Sequence, residues 1–164
     1  MKSVLISIRP KWTEKIASGE KTIEVRKTAP QEVPFKCYIY ETKGQYVKFT
    51  HGAHTKYGYG RGKVIGEFIC DKVYPIKNRG SSFSVADEEQ SVTNEIARQS
   101  CLYYDDMVSY FGNKDGFGWH ISDLKIYDKP RNLSEFGKVG FGHKVPLKRP
   151  PQSWMYIEDL GEEE

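Results

Sequence analysis

The first 27 residues constrain the fold more tightly than any other part of the chain. Ser3-Val4-Leu5-Ile6-Ser7-Ile8 is short and rich in β-branched side chains, the pattern of a buried strand. Arg9-Pro10 ends it, and proline suits a first helical turn because an N–H there has no partner within the helix. Trp12 and Ile16, four apart, share one face of a short helix from about Pro10 to Ser18. Gly19 follows where a left-handed C-terminal residue is wanted. A second strand, Gly19-Glu20-Lys21-Thr22-Ile23-Glu24-Val25-Arg26-Lys27, then begins. Alternation places Thr22, Glu24 and Arg26 on one face and Lys21, Ile23, Val25 and Lys27 on the other. Such a charged face is either solvated or the floor of a polar site. For Lys21 and Arg26 to serve one cleft, Lys21 must sit in the turn before regular strand begins.

The remainder reads as further short strands with inserted helices. Pro30 and Pro34 mark a connector, and Lys36 to Thr42 alternates as a strand. Residues 43–62 are polar and glycine-rich with interleaved aromatics, a long loop or an extended hairpin. Lys63 to Tyr74 is the longest strand candidate, with Gly66 at a bulge or close approach. Residues 84–112 read as helical, with Ile96, Leu102, Tyr103, Met107, Tyr110 and Phe111 on one buried stripe. Phe117 to Tyr127 returns to strand, Asn132 caps a helical turn, and Trp154 to Glu158 forms a last strand. With fifteen glycines and eight prolines among 164 residues, many turns and a sheet-rich α+β fold follow. The expectation is one domain over 1–158, a small, partly closed β-barrel of five to six strands with short peripheral helices. An acidic tail, 159–164, follows it.

Charge and cysteine content narrow the classes of function. The formal charge is +3, but five of the 22 acids lie in the last seven residues. The other 17 acids face 25 Lys and Arg, a net +8 over residues 1–157, which suits a polyanionic partner. Cys37, Cys70 and Cys101 are isolated and odd in number, so neither a disulfide framework nor a zinc site is implied. No stretch approaches the roughly 18 apolar residues of a membrane span, and no apolar leader follows Met1. A reduced, cytoplasmic protein without a membrane partner is expected; the oligomeric state is left open. His51 and His54 are three apart but lack a carboxylate partner, so no metal and no cofactor is expected.

Several motifs coincide in order along the chain. SGEKTIEVRK (Ser18 to Lys27), CYIYET (Cys37 to Thr42) and VIGEF (Val64 to Phe68) are followed by Gly118-Trp119-His120-Ile121. The chain ends with Arg149-Pro150-Pro151-Gln152-Ser153-Trp154. Together these resemble the ASCH domain, the activating-signal-cointegrator-1 homology family of the PUA-like superfamily, in its small bacterial and phage form. The resemblance implies a PUA-like β-barrel with a cleft beside the first helix and a nucleic-acid-binding role. A smaller branch with a similar G-x-K-T stretch includes an amidohydrolase acting on N4-acetylcytidine, with a lysine nucleophile, a threonine three residues later and a distant glutamate. Lys21 and Arg26 match that branch, but Glu24 stands at the threonine position. A neighbouring carboxylate raises a lysine pKa, which opposes a nucleophilic role. Glu67 and Glu95 are the candidates for the distant glutamate.

The expected function is therefore binding of RNA or single-stranded nucleic acid through a basic cleft. Arg9, Lys11, Lys21, Glu24 and Arg26 would form its floor, lined by Tyr40, Glu41, Gln152, Ser153 and Trp154. Arginine forks suit phosphate, and Tyr40, Trp119 and Trp154 are candidates to stack on unpaired bases, although Trp119 reads better as core. Lys56, Tyr57, Tyr59, Arg61 and Lys63 read as a flexible arm touching nucleic acid. The alternative is a small amidohydrolase on a modified nucleoside such as N4-acetylcytidine, with Lys21 and Glu24 catalytic. The partner is then a nucleoside-like small molecule.

Overall fold

The computed structural model describes residues 1–161; Glu162, Glu163 and Glu164, half of the expected acidic tail, lie outside the described residues. The chain runs β1 (Ser3–Ile8), α1 (Pro10–Ala17), β2 (Ile23–Arg26), β3 (Phe35–Glu41), β4 (Gly44–His51), β5 (His54–Gly60) and β6 (Lys63–Cys70). It continues through β7 (Val73–Asn78), β8 (Phe83–Val85), α2 (Gln90–Ser100), α3 (Tyr104–Phe111), β9 (Gly116–His120), β10 (Ser122–Arg131) and β11 (Trp154–Ile157). A 3-10 turn, Leu133–Glu135, sits behind Asn132, whose backbone N–H donates to Glu135 Oε2 at 2.6 Å.

Strand β1 is the spine of a five-stranded sheet ordered β10-β6-β3-β1-β11. It pairs parallel with β3 and antiparallel with β11, and all six of its residues are buried. Val4, Ile6 and Ile8 face one core with Cys37, Ile39 and Phe68; Leu5 faces another with Tyr38, Phe136 and Leu147. The second sheet, ordered β2-β9-β7-β8, lies over the first of these cores. Its Trp119 is fully buried there, edge-on to Phe35 at 5.2 Å and to Trp154 at 5.7 Å. The other face of the second sheet carries Ile23, Val25 and Ile76 beneath Ile96 of α2 and Met107 and Phe111 of α3. Burial pushes the Cys37 thiol well above its ordinary pKa and that of Cys70 up to about 12, so neither is a reactive thiolate.

Local signals hold well. Pro10 opens α1, and Gly19 has φ +83°. Gly66 lies at a bulge of the β3–β6 pair and faces the β10 backbone. Three expectations change. The sheets remain open, with β10 and β11 as the edges of the larger one, and eleven strands are present among the described residues. The single strand expected over Lys63 to Tyr74 divides at Asp71-Lys72, and that over Phe117 to Tyr127 divides at Ile121. In both cases the chain leaves one sheet for the other, a turn that strand propensity does not reveal. The helical region is two helices, because Cys101 adopts φ +58° and breaks the path; Ile96, Met107 and Phe111 still meet one core, but Tyr103 and Tyr110, expected on the same stripe, are exposed because the break turns them outward. Residues 43–62 form the β4–β5 hairpin, which pairs with neither larger sheet.

A Cβ on Gly66 would lie 2.5 Å from the Lys125 carbonyl oxygen and 3.2 Å from Ile126 Cα, both backbone atoms. Gly66→Ala is therefore expected to cost about 1–3 kcal/mol, the range of overpacking. It would be read as a lower urea midpoint at an unchanged denaturant slope.

Candidate functional site

Between α1 and β2 the chain makes a tight link. The Lys21 N–H donates to the Lys15 carbonyl at 3.0 Å and the Thr22 N–H to the Gln99 carbonyl at 2.9 Å. Lys21 thus precedes the regular strand, and its side chain turns inward to the side that Glu24 and Arg26 occupy. Glu24 pairs across the sheet with Trp119, and cross-strand partners share a face, so the charged face of β2 looks at the first sheet and not at solvent.

Three charges meet there. Lys21 Nζ donates to the Ser100 carbonyl at 2.5 Å, lies 3.8 Å from Glu24 Oε2 and sits 5.2 Å from the centre of the Trp12 ring. Lys21 is only 2% exposed, and burial lowers its pKa from 10.5; the Glu24 charge pulls the other way but is the smaller effect. Arg26 donates through Nε to Glu24 Oε1 at 3.2 Å, through one terminal nitrogen to the Ser7 carbonyl at 2.7 Å, and through the other to Ser153 Oγ at 3.3 Å. Its fork is spent inside the protein, so Arg26 positions Glu24 and locks β2 to β1. Glu24 Oε2 is buried and accepts no hydrogen bond from the protein. An unfilled carboxylate oxygen is costly unless a ligand or water donates to it.

Above these groups lies a cleft of about 560 Å³. Arg9, Lys11, Lys21, Glu24, Arg26 and Gln152, all anticipated, line it. Trp12, Thr42, Asp106, Ser109 and Tyr110 also line it and were not anticipated. Trp12 had been assigned only to a helix stripe. Asp106, Ser109 and Tyr110 follow a three- and four-residue spacing along α3, a polar face that the apolar stripe of the same helix concealed. Lys11 Nζ stands 4.6 Å from the Trp12 ring centre and Lys27 Nζ 5.2 Å from that of Tyr110, so both aromatic walls carry a cation.

The remaining anticipated residues fall elsewhere. Tyr40 is 6% exposed and packs in the core on the opposite face of the first sheet. Glu41 accepts from Thr13 Oγ1 at 2.5 Å and from the Arg61 N–H at 2.9 Å, joining α1 to the root of the hairpin. Ser153 supports Arg26, and Trp154 donates to Thr28 Oγ1 at 2.9 Å while packing on Trp119 and Tyr156. Glu67 is held by Lys36 and Tyr127, and Glu95 by Arg98 and Gln99; neither lines the cleft. His51 and His54 are cross-strand partners at the hairpin end, and no group of three metal-ligating side chains occurs among the described residues. No helix among them is long and apolar enough to cross a membrane.

No protein-family model and no curated protein matches the sequence. Solved structures do match. The crystal structure of ASCH from Zymomonas mobilis aligns with a TM-score of 0.61 at 21% identity, covering 96% of this chain and 88% of that one. A tyrosine-to-phenylalanine variant of the same protein aligns at 0.62 and 19% identity over 98% of this chain and 93% of that one. A serine-to-alanine variant aligns at 0.62 and 21% over 97% and 90%. The chain has the ASCH fold. The coverage takes in nearly every element described above, including those that build the cleft, and the likeness at this identity is one of fold.

Burial of Lys21 has a consequence for stability. Between its lowered folded pKa and the 10.5 of an ordinary lysine, the unfolded chain binds more protons than the folded one, so stability rises with pH through that window. Lys21→Met removes the titrating amine. The stability of the native chain minus that of the variant, from urea midpoints, is expected to increase as the pH rises towards 10.5; a constant difference contradicts the assignment.

Proposed function

We propose that this ASCH-fold chain binds an unpaired nucleotide of RNA or single-stranded DNA, with the base in the cleft and its phosphates on the rim. The observation that carries this reading is the buried Glu24 carboxylate, whose Oε2 receives no hydrogen bond from the protein, in a cleft lined by Trp12 and Tyr110. A carboxylate accepts from the exocyclic amine of a base such as cytosine, and aromatic walls stack on a base of any sequence. Arg9 and Lys11, on the rim and not committed to buried partners, would meet phosphate. Lys21 and Arg26 hold the carboxylate in place from either side.

Fluorescence anisotropy with labelled single-stranded oligomers tests this. Affinity is expected to fall with salt, with a log–log slope of about −0.7 for each phosphate contacted. Glu24→Gln replaces an acceptor-only group with one that also donates, so the preference for cytosine over uracil at the bound position is expected to drop by about 1–3 kcal/mol. No binding to any oligomer at low salt overturns the reading.

A second reading, hydrolysis of an acylated nucleoside, is favoured by one observation: burial outweighs the Glu24 charge and makes the neutral Lys21 amine accessible nearer neutral pH. Incubation with N4-acetylcytidine decides it. Turnover that Lys21→Ala abolishes supports hydrolysis, and absence of turnover by the native chain retires it.

A further inference from the structure

The β4–β5 hairpin stands apart from both sheets, and its composition is one-sided. Between Glu41 and Glu67 there is no acidic residue, while Lys43, Lys48, Lys56, Arg61 and Lys63 are present. Its two faces differ. On one, Gly58 leaves room for neighbours to lie across it: a Cβ there would be 2.6 Å from the Tyr46 ring and 2.7 Å from the Lys48 stem. Phe49 and Lys56 are paired on that same face, and Tyr46 reaches Glu14 of α1. Near its root the inner face is covered by Tyr46 and Lys48 lying over Gly58 and by the contact of Tyr46 with Glu14, while Phe49 farther out is 55% exposed.

The outer face is not occupied. Val47 pairs with Tyr57 and Gln45 with Tyr59; beyond them a one-residue bulge at Lys48 puts Phe49 opposite Lys56. Tyr57 is 49% and Tyr59 70% exposed, two rings at alternate positions of one strand, and Arg61 follows just past the strand's end, its N–H held by Glu41 at the root of the hairpin. A pair of exposed rings without a covering element, on a segment with no negative charge, is complementary to bases joined by phosphates and not to an apolar protein surface. The root of the hairpin adjoins the cleft: Thr42 lines the cleft, and Gly60 sits against the Thr42 carbonyl and Pro10.

We infer that the outer face of β4–β5 is a second contact surface for single-stranded nucleic acid, which takes the nucleotides that flank the one held in the cleft. Bases stack on Tyr57 and Tyr59, and Arg61 meets a phosphate between them and the cleft. A strand of seven residues spans about 23 Å, enough for several unstacked nucleotides. The inference rests on the cleft reading for its direction but not for its existence, because the rings and cations of the hairpin lie outside the cleft.

The test compares a labelled oligomer of about 10 nucleotides, within the roughly 4–16 covered by single folds, with a dinucleotide that reaches only the cleft. Tyr57→Ala with Tyr59→Ala is expected to weaken the longer oligomer about tenfold or more and to leave the dinucleotide unchanged. Tyr57→Phe with Tyr59→Phe keeps the rings and is expected to bind as the native chain does, which separates stacking from loss of fold. Arg61→Gln is expected to make the salt slope shallower by about 0.7, one phosphate. Equal affinity of the native chain and the double alanine variant for the longer oligomer overturns the inference, as does tighter binding to the corresponding duplex. If Glu24→Gln changes nothing while the alanine pair weakens binding, the hairpin surface stands and the cleft reading falls. The converse pattern sinks the hairpin alone.

Discussion

Arg26 is the tie on which the two sheets of this protein depend. Its guanidinium donates to the Ser7 carbonyl on β1, to Ser153 Oγ before β11 and to Glu24 on its own strand, and so spans both layers with one side chain. The apolar faces of the sheets would pack in many relative positions, since hydrophobic contact has no direction. A planar fork with three fixed acceptors selects one. That selection sets the cleft, because α1 reaches β2 only through the short link at Gly19 and follows wherever β2 is held.

The cost of this arrangement is the burial of charge. Two cations and one carboxylate are removed from water beneath Trp12, a grouping that only close geometry and further hydrogen bonds make tolerable. Lys21 is satisfied by the Ser100 carbonyl at the end of α2, which is why that helix must terminate where the left-handed Cys101 ends it. Glu24 Oε2 receives no hydrogen bond from the protein, although Lys21 Nζ lies 3.8 Å away. That oxygen can accept from a ligand or from water, which is the property the proposed function uses. Structure and proposed function thus meet in one atom.

In the proposed function the cleft and the hairpin divide recognition: Glu24 in the cleft takes a donor, and the hairpin, which carries no acid, takes charge and flat rings. α1 joins them, with Trp12 toward the cleft and Glu14 toward Tyr46.

What the sequence determined by itself was local. Pro10 opening α1, the left-handed Gly19, the bulge at Gly66 and the charged alternation of β2 rest on steric rules that act within a few residues. Together with the ASCH resemblance, which brought in the cleft and Gln152, they named six of the residues that line it. Only the tertiary structure decided which way faces look. β1 and β3 are buried on both sides, so alternation carries no sign of a solvent face, and Tyr40 fell on the side away from the cleft while Trp119 fell beneath it. The same holds for the strands that divide at Asp71-Lys72 and Ile121. Strand propensity measures fitness for a pleated, half-buried surface, and both sheets offer one, so only packing chooses between them. Lys21 shows both limits. Its place after Gly19 was legible, but its lowered pKa arises from burial between layers that only the fold brings together, the Ser100 carbonyl that holds it lying 79 positions away in the chain.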